Sequence, residues 1–228
     1  MLPKLMRGGA ARVGALALLS ALSLAACAGG LTGFSAQVAC PPAIEAPTLY
    51  PGDTWAYRYN DGRRWRQTYD AVTEEGLLRG QGAYARATFY FDHTHTLRKV
   101  YLDGTWLTWE TPDFPEIGKP ALDFPLTVGK VWTSTWYQYA FDQITQDSRV
   151  AGCETVTVPA GTFLAVRLEV SRRNTRSTSA AFDPYTLWYA PAVKYWVKGR
   201  GGSSTLADPF REFELVDFTI DTGKPATP

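Results

Sequence analysis

Beyond Tyr50 the chain alternates apolar and polar residues in short runs of period two, the mark of strands with one buried face. Asp61-Gly62 and Asp103-Gly104 sit between such runs, and Asp-Gly suits the positive φ that tight hairpin turns require. Trp55–Tyr59 is therefore expected to pair with Trp65–Val72, and Thr96–Leu102 with Thr105–Glu110. Pro112, Pro115, Pro120 and Pro125 cannot serve a central strand, so this stretch reads as a loop crossing between two halves. Strands resume at Lys130–Phe141 and Ser148–Val158. A turn at Pro159-Ala160-Gly161 then leads into Phe163–Arg172, where Leu164, Val166, Leu168 and Val170 share one face. Tyr185–Tyr189, Lys194–Lys198 and Phe210–Ile220 complete the set. In the last run the apolar phase slips between Leu215 and Val216, which predicts a bulge. Asn174–Ala180 reads as an exposed loop and Gly199–Gly202 as a flexible turn. No segment has a persuasive helical period; Asp70–Leu78 comes nearest, and Gly76 argues against it. The expectation is one antiparallel all-β domain over residues 49–221, with a disordered tail at 222–228.

The N-terminal part follows another pattern. Lys4, Arg7 and Arg12 precede an uncharged Ala- and Leu-rich stretch, Val13–Ala26, and no acidic residue occurs before Glu45. This is the build of a secretory signal, residues 1–26, with an apolar core too short for a stable membrane span. The stretch closes on Leu24-Ala25-Ala26-Cys27, which resembles the lipobox of bacterial lipoprotein precursors. The resemblance implies that Cys27 receives a diacylglycerol, that the signal is cut before it, and that the new amino end is acylated. Ala28, where an Asp would favour the inner membrane, implies sorting to an outer membrane, facing the periplasm. Residues 27–48, small and proline-bearing, would be the lipidated tether. The alternative is an ordinary cleaved signal with a chance cysteine.

Removal of the signal takes three basic residues, leaving 20 Lys and Arg against 22 Asp and Glu. That balance lacks the basic surface nucleic acid demands. About 200 residues remain, enough for one sizeable domain. Setting Cys27 aside leaves Cys40 and Cys153, a pair that an oxidising compartment would join. Such a bridge would stabilise by roughly 4–5 kcal/mol in the chain-entropy description. Two unrelated thiols are the alternative.

Candidate chemistry is sparse. The chain has two histidines, His93 and His95, which would share a face if they stood in a strand and could both reach one metal ion. No further histidine completes a ligand set, and two polar residues near a strand end explain them equally. There is no Gly-x-Ser-x-Gly elbow; Glu74-Glu75 stands at a turn, and Asp113 and Glu116 have only their presence in a loop to recommend them. Eight tryptophans and 14% aromatic residues are the stronger clue. Trp55, Tyr57 and Tyr59 share one strand face and Trp132 and Trp136 another, with Trp106 and Trp188 on further strands. Such residues fill a core, line a groove for an acyl chain, or form a platform for sugar rings. A weak echo links Pro51-Gly52-Asp53-Thr54-Trp55 to Val128-Gly129-Lys130-Val131-Trp132, either two related halves or one turn-to-strand device used twice.

Val128–Trp132, Glu154–Phe163 and Leu187–Pro191 together resemble uncharacterised bacterial envelope domains in which a Val-Pro-Ala-Gly-Thr-Phe turn joins two strands and a Trp-x-x-Pro follows. The resemblance covers about residues 124–220. It implies an antiparallel sheet curled into a half-barrel or open barrel, like the periplasmic lipoprotein carriers, and it transfers no catalytic residue. The function expected is non-enzymatic and cofactor-free: a lipid-anchored envelope protein binding a hydrophobic or lipidic ligand in the concave sheet. The alternatives are a structural or assembly subunit docking on another envelope protein, or a hydrolase or metal enzyme using His93 and His95.

Overall fold

The structure is a computed structural model, and it describes residues 37–81, 87–108, 122–138, 142–174, 181–201 and 212–221. Cys27, Trp109, Asp113, Glu116, the loop Asn174–Ala180 beyond its first residue, and the expected tail lie outside the described residues, as does the side chain of Trp136. Thirteen strands form one sheet: β1 Gln37–Val38, β2 Thr54–Tyr59, β3 Arg64–Val72, β4 Leu78–Gln81, β5 Ala87–Phe91, β6 Leu97–Leu102, β7 Thr105–Thr108, β8 Val131–Gln138, β9 Asp142–Val158, β10 Gly161–Asn174, β11 Ala181–Ala190, β12 Tyr195–Gly201 and β13 Phe213–Thr219. A short 3-10 turn, Pro191–Val193, is the helical element among the described residues.

Every pairing is antiparallel. Two six-stranded meanders, β2–β7 and β8–β13, meet where β13 pairs with β2. The sheet ends at β7 on one side and at β8 and β1, both laid along β9, on the other, so it is open and curved rather than closed. Register shifts at Arg167/Leu168, Trp188/Tyr189, Leu215/Asp217 and Tyr69/Ala71 bend the strands, since each extra residue increases the local twist. The phase slip expected at Leu215 is one of these.

The bend wraps one main core. Trp55, Tyr57, Tyr69, Val166, Leu168, Tyr189, Val197 and Leu215 have essentially no exposed surface. A smaller cluster of Ala87, Phe89, Leu97 and Val100 serves the β5–β6 end. Ala165 is buried beside Val166 while Leu164 is exposed, so the expected single apolar face of β10 changes side along the strand, which has a register shift at Arg167/Leu168.

The echo between Gly52 and Gly129 is a shared turn-to-strand arrangement, and each copy opens a six-stranded meander. Gly52 N–H bonds Tyr69 O while Tyr69 N–H bonds Asp53 O; Gly129 N–H bonds Val150 O while Val150 N–H bonds Lys130 O. Both glycines have positive φ, which a side chain would strain.

Several expectations need correction. β4 and β5 were not legible, and Gly80 is the reason: its missing side chain makes room for Gln67, Phe91 and Tyr69. Gly199 and Gly201 belong to β12 rather than to a flexible turn. A Cβ on Gly199 would stand 2.4 Å from the Phe213 ring, so the position serves close packing. Asp61-Gly62 closes a three-residue connection with positive φ at Gly62 alone, whereas Asp103-Gly104 has positive φ at both residues. Part of the stretch assigned above to the tether is fastened to the domain: Gln37 and Val38 pair with β9, Ile44 bridges Leu126 outside the sheet, and Cys40 is joined to Cys153 by a disulfide.

Candidate functional site

His93 and His95 do not share a face. They stand in the turn between β5 and β6, where His95 takes φ 60°, so strand alternation does not apply to them. His93 is exposed and His95 is 3% exposed. His95 Nε2 donates to the Lys194 carbonyl at 2.8 Å, which fixes the proton there and leaves Nδ1 to accept from the Tyr69 hydroxyl at 2.8 Å. Tyr195, Trp55 and Tyr69 box the ring at centroid distances of 4.2, 5.7 and 5.8 Å. Both nitrogens are therefore occupied, and a metal-bound or base-acting His95 would have to break this arrangement. No group of three or more potential ligands comes together among the described residues.

Burial pushes His95 down to about 3, well below the ordinary imidazole value of 6.5. Between these values the unfolded chain takes up a proton that the folded chain refuses. Stability thus falls as pH drops below 6.5, by up to about 1.4 kcal/mol per unit, and this contribution is complete above 6.5. Thermal unfolding followed at pH 7, 6 and 5 should show a falling midpoint. His95→Asn, which tolerates the left-handed conformation but does not titrate, should flatten the slope. An unchanged slope in that variant would assign the acid sensitivity elsewhere.

A buried ionic knot adjoins this box. Asp53, fully buried at the head of β2, accepts from the Tyr50 N–H at 3.0 Å, the Asp221 N–H at 2.8 Å and Lys194 Nζ at 3.1 Å. Lys194 takes φ 60° after the 3-10 turn and lays its ammonium over the Tyr50 ring. Neither Asp53 nor Lys194 stood out in the sequence. The signal available was an Asp directly after Pro-Gly, placed to collect turn N–H groups.

The aromatic candidates divide. Trp55 and Tyr57 have 0% exposure and spend their polar atoms on the Val193 carbonyl (2.7 Å) and the Trp196 carbonyl (2.9 Å). They hold the sheet together and offer no ligand surface. Tyr59 is half-buried against Phe213. Trp132 is buried on the other meander, and its indole N–H has no partner among the described residues. The structure does not bring Trp55, Tyr57 and Trp132 to one cavity. A different aromatic group lies exposed on β5–β7, where Tyr90 and Tyr101 each lie about 5 Å from Trp106 and Lys99 Nζ sits over Tyr90 and Trp106.

Two open grooves lie among the described residues. One of about 500 Å³ runs beside the 41–50 segment, lined by Pro41, Ile44, Pro47, Tyr50, Tyr189 and Lys194 among others. Another of about 410 Å³ lies where β12, β13 and the end of β2 meet, lined by Arg58, Tyr59, Lys198, Arg200, Glu212 and Glu214 among others, with Lys198 paired to Glu214.

No family model and no curated protein matches the sequence. Among solved structures, the chain is similar to the hypothetical lipoprotein YmcC from Escherichia coli, at 17% identity and a TM-score of 0.45, over 76% of this chain and 89% of that one. It is also similar to a provisionally assigned lipoprotein from Parabacteroides distasonis, at 13% identity and a TM-score of 0.39, over 78% and 100% of the two chains. A provisionally assigned exported protein with a YmcC-like fold, from Bacteroides fragilis, matches at 14% identity and a TM-score of 0.34, over 78% and 99%. Likenesses this distant carry no argument about activity.

Proposed function

We propose that this chain is a lipid-anchored, non-enzymatic envelope protein, held through Cys27 at an outer membrane facing the periplasm. There it acts as a structural or assembly subunit, engaging protein through the edges of its sheet. The observation that carries this reading is the filled interior. Trp55, Tyr57, Tyr69 and Leu215 fill the core, and the polar ring atoms that could greet a ligand already bond backbone carbonyls or His95. The work of such a domain falls to its rim.

A second reading is favoured by the groove beside residues 41–50. Its prolines, Ile44 and Tyr189 suit an apolar or lipidic ligand with a polar end near Lys194 and Asp221. The two readings separate in one preparation. The chain from Ala28 onward, exported without the lipid-bearing cysteine, is purified from the envelope with and without prior crosslinking in cells. A stoichiometric protein crosslink and a ligand-free native mass support the assembly role. Extractable lipid at one per chain, lost on Ile44→Glu, would transfer the function to the groove.

A further inference from the structure

The eight residues of β8, Val131–Gln138, carry no charge and no proline. They pair with β9 along their whole length, from Val131↔Arg149 to Gln138↔Asp142, without a register shift. On the other side no strand pairs with them among the described residues. Natural sheets guard such edges with lysines, prolines, bulges or very short strands. β8 carries no lysine, no proline and no bulge among its described residues.

The orientation of its backbone can be read from the head of the strand. Val150 N–H donates to the Lys130 carbonyl at 2.9 Å, so Lys130 faces β9. Antiparallel alternation then points the N–H and C=O groups of Trp132, Ser134, Trp136 and Gln138 to β9, and those of Val131, Thr133, Thr135 and Tyr137 to the open side. Two further donors on this strand also lack partners among the described residues. Trp132 Nε1 and Ser134 Oγ are buried, at 9% and 5% residue exposure, without a hydrogen bond. Buried polar groups left so are uncommon and point to something that completes them.

The geometry points to a second copy of this chain as the occupant, adding its own β8 antiparallel to the first about a two-fold axis at Ser134. That register sets Val131 against Tyr137 and Thr133 against Thr135, each twice by symmetry, so every outward backbone group of Val131–Tyr137 finds a partner. It also sets Ser134 against Ser134, where one hydroxyl can donate and the other accept. Trp132 falls opposite position 136. An uncharged strand meets its own copy without like charges in register, the usual bar to self-pairing. The resulting interface is isologous and closes at two subunits. The inference rests on the reading that this domain works through its rim, and names the partner.

Ser134→Cys in the full chain, exported with its own signal, tests it. Directly opposed residues of this non-hydrogen-bonded type lie about 4.5 Å apart at Cα, within disulfide reach. Mild oxidation should convert most of the variant to a band of twice the mass that reduction abolishes. Thr133→Cys should give no such band, because its own mate lies on the diagonal, about 7–8 Å away. Independently, the wild-type protein in detergent should sediment as a dimer, and Thr135→Pro, which removes an outward N–H and leaves the β9 bonds intact, as a folded monomer. A wild-type chain that stays monomeric at about 100 μM overturns the inference. So does a Ser134→Cys crosslink to a different protein, although that outcome would leave the assembly role standing. Lipid in the groove would instead remove the reading on which it rests.

Discussion

Exported behind an ordinary cleavable signal and starting at Ala28, the protein should move almost entirely from the membrane pellet to the soluble envelope fraction. In the native context, Cys27→Ser should instead accumulate as an uncut precursor of higher mass, because the lipidated thiol is what the lipoprotein pathway processes. Both outcomes follow from the Leu24-Ala25-Ala26-Cys27 motif at the end of the signal. The size of the effect follows from acyl chemistry. Each buried methylene adds about 0.8 kcal/mol of membrane affinity, so a single chain holds reversibly while two or three hold for good. No helix among the described residues is long and apolar enough to cross a membrane. Fractionation followed by immunoblotting, with mass spectrometry of the N-terminal peptide, checks both variants. A chain from Ala28 that still pellets with membranes would show that the folded domain binds there by itself, and the anchor would lose its role.

The proposed anchor at Cys27 would leave little slack before the fold. Strand pairing begins at Gln37, and the Cys40–Cys153 disulfide ties that segment to the centre of β9. Ten residues separate Cys27 from Val38. At about 3.3–3.6 Å per residue they reach a few nanometres at most. A domain tethered as proposed would suit partners that share the membrane surface, including a second anchored copy, whose effective concentration would rise with confinement.

What the sequence shows of this fold is what local chemistry dictates. Asp103-Gly104 is a hairpin because both residues must adopt positive φ, and they do. The slip at Leu215 is visible because apolar side chains follow the backbone through a bulge. Where long-range packing overrides local pattern, legibility ends. The first half of β9 hides its strand because two of its inward positions are Gln146 and Ser148, polar residues that bond one another and receive Arg172 and Tyr185 on the Gln146 oxygen. β4 hides behind Gly80, whose emptiness makes sense only once Gln67 is seen above it. The histidine pair misled because spacing by two implies a shared face only in a strand, and the backbone at His95 turns left-handed. The aromatic stripe of β2 was legible as a stripe, but whether it lines a groove or fills a core depends on the second meander closing over it. No local pattern encodes that closure.

A large loss of stability should come from Asp53→Ala. This carboxylate, fully buried, gathers three donors from parts of the chain far apart in sequence: the Tyr50 N–H before β2, Lys194 Nζ between the 3-10 turn and β12, and the Asp221 N–H after β13. It thereby fastens the seam where the two meanders join, and through the Lys194 carbonyl it supports the His95 box as well. Alanine would strand two backbone N–H groups and leave the Lys194 side chain, 15% exposed, without its carboxylate. Breaking a buried pair from one side costs about 3–5 kcal/mol, because the surviving charge stays desolvated. Lys194→Met, which keeps the apolar stem and leaves Asp53 its two N–H donors, should cost less. Urea unfolding at pH 7 measures both, and amide exchange at Tyr50 and Asp221 should accelerate in Asp53→Ala more than at Val166 in the core. A loss below about 1 kcal/mol, or uniform acceleration across the sheet, would mean that β13 and β2 are held by their ladder and aromatic packing alone. The carboxylate would then be a passenger at the seam.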